Sequence, residues 1–114
     1  MEPIGPDEVL SFKRQIKLEK AQKIPYFVIG IFNAEIAKNF NSTSNYAEVK
    51  QTTVYKQIQS YIEAHKEEFG DVDAYNKGWL DVEPLFETAG WKVQYLKQPY
   101  YETESSYFIF KKEN

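Results

Sequence analysis

Apolar positions recur at helical spacing through most of the chain and switch to alternation near residue 91. Val9, Phe12 and Ile16 open the series. Pro6 suits a first helical position, where its missing N–H is not needed, and Asp7 and Glu8 favour the positive end of the helix dipole. Lys13, Arg14, Lys17, Lys20 and Lys23 make the rest of this helix basic, and Pro25 stops or kinks it. Ile29, Phe32, Ile36 and Phe40 then form one stripe, widened by Val28 and Ile31, which predicts the central core helix. Residues 26–32 also read as a buried strand. The polar run 41–45 is a loop. In residues 46–51, Ala47 and Val49 oppose Glu48 and Lys50, the pattern of a brief strand. Thr52 or Thr53 can cap a following helix that carries Val54, Ile58, Tyr61, Ile62 and His65 until Gly70 ends it.

Residues 78–112 hold both tryptophans and organise the rest. One helical turn is expected within residues 74–80, anchored by Trp79 and Leu80. Pro84 starts a short helix whose buried side is Leu85, Phe86 and Ala89, and Gly90 closes it with a backbone conformation that glycine tolerates best. Trp91, Val93 and Tyr95 alternate with Lys92 and Gln94, the period of a half-buried strand. Phe108 and Phe110 line the same face from a returning strand. Leu96, Tyr107 and Ile109 fall on the opposite face, so both faces of the hairpin carry apolar side chains. A simple hairpin over a helical core does not account for the second face.

These elements make an α+β fold: a helical core with a C-terminal antiparallel β-hairpin, in a winged-helix-like order. With 114 residues the chain reads as a single domain, residues 1–25 a basic helix with a loose start and residues 26–114 the helical core plus hairpin. It has no cysteine, so no disulfide staples it, which fits a reducing compartment. The net charge of −3 works against bulk attraction to nucleic acid or anionic membrane. No signal-peptide pattern or apolar run of membrane-spanning length occurs, which predicts a soluble, cytoplasmic protein.

Chemistry finds little to use. His65 reads as a partly buried ring beside a helix stripe rather than as a base. Asp71 and Asp73 are spaced like the start of a calcium loop, but Tyr75 takes the next ligand position and Asn76 the place that needs glycine. Gly78 and Gly90 belong to no phosphate-cradling motif. No catalytic residue, cofactor or metal is expected. The winged-helix order raises a nucleic-acid reading, in which the helix before the hairpin enters the major groove. Asp81, Glu83 and Glu87 would then face a polyanion, and Glu102 and Glu104 would sit on the wing, where a DNA reader needs lysine or arginine. Residues 97–106 are the exposed candidate: Pro99 stiffens the loop, and Tyr100 and Tyr101 are rings that suit an interface. The expected partner-binding residues are therefore Pro99, Tyr100, Tyr101, Leu96, Tyr107 and Ile109. The basic face of the first helix reads first as a solvated helix face and, in its functional reading, as a docking surface for an acidic partner or RNA.

Several segments resemble a group of small tailed-bacteriophage proteins of uncharacterised function. They are Gly78-Trp79-Leu80-Asp81-Val82-Glu83, Ala89-Gly90-Trp91-Lys92-Val93-Gln94-Tyr95, Pro99-Tyr100-Tyr101-Glu102 and Phe108-Ile109-Phe110-Lys111-Lys112. The upstream segments FNAEIAKNF and VKQTTV are similar too, so the likeness runs from about Phe32 onward. It departs at Leu96-Lys97-Gln98 and at the second tyrosine of the loop. The resemblance implies viral origin and expression in a bacterial cytoplasm, and carries over no catalytic residue. The resulting expectation is a non-enzymatic phage protein that binds another protein, with a host enzyme or defence factor as the candidate targets. The alternatives are a winged-helix nucleic-acid binder and a minor virion structural or assembly protein. A protein partner is expected before nucleic acid, no membrane is expected, and homo-oligomerisation stays open.

Overall fold

Helices and one antiparallel sheet share the chain, the α+β class that the pattern predicts. The structure, a computed structural model, describes Pro3, Gly5, residues 8–97 and residues 106–112. In order these are α1 (Val9–Ala21), α2 (Tyr26–Asn39), β1 (Tyr46–Lys50), α3 (Gln51–Ala64), the single turns α4 (Lys66–Phe69) and α5 (Ala74–Lys77), α6 (Glu83–Thr88), β2 (Trp91–Leu96) and β3 (Tyr107–Lys112). The expectations for Pro6 and Asp7 lie outside the described residues.

The sheet order is β1–β3–β2, so the last strand is the central one. Phe110 pairs with Ala47 on one side and Val93 on the other, and Phe108 pairs with Val49 and Tyr95. Because side chains alternate along a strand, these residues share the inner face. The helices that meet the sheet do so there. Phe32 of α2, fully buried, sets its ring against Phe86, Phe108 and Phe110 at 5.4–6.2 Å between centroids. Val28 and Ile36 of α2 and Val54, Ile58 and Ile62 of α3 complete this layer. Residues 26–32 are thus helical, and Pro25 is the N-cap of α2 rather than a kink within a helix.

A second aromatic cluster lies away from the sheet. Phe27 stacks on Tyr61 at 4.0 Å and meets Phe69 and Trp79, which ties α2, α3, α4 and the segment after α5 together. Leu80 beneath it is buried, as its expected anchoring role requires.

Four local expectations are corrected. Neither Thr52 nor Thr53 caps α3: both lie inside the helix, whose N-cap is Lys50, because β1 runs into α3 without a turn. The helix does not continue to Gly70 but breaks at His65, whose N–H still donates to the carbonyls of Tyr61 and Ile62. Ala89 is exposed, since it is the C-cap of α6 rather than part of its buried side. Ile16 is 37% exposed, so α1 contributes Ala21, while Ile24 just after it joins the core instead. The side chain of Phe12 lies outside the described residues.

Candidate functional site: the outer face of the sheet

The strand alternation that sends Phe108 and Phe110 inward sends Tyr107 and Ile109 outward. Register places Leu96 and Lys50 on either side of Tyr107, then Gln94 and Glu48 on either side of Ile109, then Lys92 and Tyr46 on either side of Lys111. Leu96, Tyr107 and Ile109 thus share one face, as the alternation predicts, and each is half-buried. None belongs to the group packed against the core. The N-terminal helix α1 packs against α6. The remaining predicted residues, Pro99, Tyr100 and Tyr101, lie outside the described residues.

Sequence reading did not anticipate the charge on this face. Among the described strand residues of this face, Lys50, Lys92 and Lys111 are all exposed, against the single carboxylate Glu48. Among the described residues the ion pairs found are Lys66 with Asp71 at 3.2 Å and with Glu63 at 4.0 Å, both on another surface. The three lysines of this face therefore have no carboxylate partner among the described residues. Periodicity gave the face of each strand, but only the pairing of β1 with β3 brings Lys50 beside Tyr107.

A cluster of tyrosines is the other feature that spacing could not signal. Tyr55 stacks on Tyr75 at 4.2 Å, and its hydroxyl donates to Asp73 Oδ2 at 2.8 Å. The other oxygen of Asp73 accepts from the N–H groups of Tyr75 and Asn76 and so caps α5. The Tyr55 hydroxyl, then the backbone donors, hold the Asp73 carboxyl below its ordinary range. Asp73 is therefore committed to a local cap, and among the described residues no group of three or more histidines, cysteines or acids is placed to hold a metal. His65 is exposed, not half-buried as expected: its ring stacks on Tyr61 at 4.1 Å, with Nδ1 2.9 Å from the Tyr61 carbonyl oxygen.

The basic helix and the acidic stretch meet in a cleft of about 690 Å³, lined by Lys17, Lys20 and Lys23 on one side and Asp81, Glu83 and Glu87 on the other. Burial pushes the Glu83 carboxyl above its ordinary value; Asp81 and Glu87 add to this and Lys17 opposes it. A raised folded-state value means that Glu83 contributes fully below its unfolded value and that this contribution is lost as pH rises through the folded one. Glu83→Gln, which stays neutral, should therefore raise the melting temperature relative to the parent at pH 7, and the gap should close near pH 4. A gap that is the same at both pH values, in thermal melts followed by circular dichroism, would refute this.

Together the fold and this face define a class: a small α+β domain with a three-stranded antiparallel sheet covered by helices on one side. Comparison with protein-family models, curated proteins and solved structures gives no match for the chain. No helix among the described residues is long and apolar enough to cross a membrane.

Proposed function

We propose that this chain acts by binding another protein through the outer face of its sheet, as a non-enzymatic bacteriophage protein directed at a host enzyme or defence factor. The observation that carries the binding reading is the half-buried apolar line Leu96, Tyr107 and Ile109 on a face with no helix packed over it among the described residues. Antiparallel sheets with one wet face are normally polar on that side. The viral origin rests on the resemblance, from about Phe32 onward, described above. Pro99, Tyr100 and Tyr101, expected from the sequence to bind the same partner, lie outside the described residues.

A winged-helix nucleic-acid binder is the second reading. It is favoured by the order α2–β1–α3–α6–β2–β3 together with a β1–β3–β2 sheet. The charge opposes it: α6 and the turn before it present Asp81, Glu83 and Glu87, and duplex binding needs cations there to displace counterions. A minor virion component is the third.

One experiment ranks them. The immobilised chain should retain a discrete protein from bacterial lysate, and Ile109→Lys should lose it while helical content by circular dichroism stays unchanged. Retention by the variant equal to the parent would remove the outer face from the reading. A salt-sensitive gel shift of duplex DNA by the parent chain would put the second reading first.

A further inference from the structure

We propose that the outer sheet face seats a single amphipathic α-helix of the partner, apolar along the side it presents and acidic along its flanks. This names the partner chemistry for the protein-binding reading and rests on it. Leu96 and Tyr107 stand side by side across β2 and β3, and Ile109 follows on the same face of β3, so the apolar residues form one short continuous line. Lysines stand at both ends of that line: Lys50 beside Tyr107, and Lys92 and Lys111 paired beyond Ile109. Glu48 is the one carboxylate among the described strand residues of this face, in a chain whose net charge is −3. Three lysines against one carboxylate give the described strand residues of this face a positive balance around the apolar line, and a complementary surface is apolar in the middle and anionic around it.

The dimensions select a helix over a second copy of the chain. Strands of five and six residues give a face about 17–20 Å long and, for three strands at ~4.8 Å spacing, about 10–15 Å wide. A stable dimer of two folded chains buries roughly 800 Å² on each partner, several times the few hundred Å² this face offers. One helix of about three turns, ~16 Å long and ~10 Å across, matches it. Sheets are ordinarily closed by a helical layer, and among the described residues the inner face has one while the outer face does not. Nucleic acid fits less well, because Tyr46 and Tyr107 stand at opposite ends of the face with Ile109 between them instead of forming adjacent stacking platforms.

The test uses the full chain, isotopically labelled, and a synthetic helix of about 18 residues with leucine on one side and glutamate on its flanks. Its twin carries lysine for glutamate. The acidic peptide should shift the amide signals of residues 46–50, 92–96 and 107–111, and the basic twin should not. The combined Lys50→Glu, Lys92→Glu and Lys111→Glu variant, its fold checked by circular dichroism, should weaken binding at least about tenfold, since three exposed ion pairs are lost. The proposal is overturned if both peptides bind alike, or if the acidic one shifts only the α1–α6 cleft. It is also overturned if the face responds to anionic vesicles, to an oligothymidine strand or to raised protein concentration but not to the acidic peptide. Ile109-dependent capture of a lysate protein combined with no peptide binding would sink this proposal and leave the protein-binding reading standing. Absence of Ile109-dependent capture would sink that reading instead.

Discussion

Phe32→Ala should destabilise the fold by about 3–5 kcal/mol, the range for truncating a buried phenylalanine. Phe32 has no exposed surface, and its ring meets Phe86, Phe108 and Phe110, so it joins α2 to α6 and to the central strand at once. Part of the cost is lost burial, and the rest is a cavity that three other rings on two different elements cannot all move in to fill. A domain of this size has a total stability of roughly 5–15 kcal/mol, so the variant should melt more than about 10 °C lower. Phe32→Leu, which keeps most of the volume, should lose much less. Denaturant titration measures both. If the two substitutions cost the same, the ring contacts are not what holds this layer.

Phe27→Ala should act locally. Phe27 is half-buried and stacks on Tyr61, with Phe69 and Trp79 around it, so a cost of roughly 2–3 kcal/mol is expected. The segment it holds, residues 66–80, contains only single helical turns and little buried surface besides Ala74 and Leu80. Amide exchange should therefore quicken across that segment first, with the sheet still protected. In a Trp91→Phe background the emission of Trp79 should shift to the red. Uniformly faster exchange across helices and sheet would show that the cluster is part of the global core and not a local clip.

The periodic signals carried the parts of the fold where one element decides its own burial. The spacing of Phe32 and Ile36 gives α2 its inward stripe, and the alternation from Trp91 to Tyr95 gives β2 its faces. Signals failed where a neighbour decides. The break at His65 has no glycine or proline to mark it, and Thr52 and Thr53 look like caps only if a turn separates strand from helix. Instead β1 passes directly into α3, and the Gln51 N–H donates to the Ser106 carbonyl across the sheet. The candidate site divides in the same way. Leu96, Tyr107 and Ile109 follow from period two within a hairpin. Lys50 and Glu48 join them only through a pairing between residues distant in sequence, and the stacking of Tyr55 on Tyr75 depends on the path between α3 and α5.

The central position of β3 bears on how the chain is made. Ala47 and Val49 find their partners, Phe110 and Phe108, only after α3, α6 and β2 have been synthesised. Until then β1 is a lone strand, and β2 lacks the neighbour that holds it. On the ribosome the helices can make their local hydrogen bonds before any sheet exists, and the inner face of β1 then has only α2 and α3 to pack against. Contacts that close so late in sequence slow folding. A release that stops short of Phe108 would leave two unpaired strand edges on a helical body, the kind of nascent chain that chaperones and proteases take up.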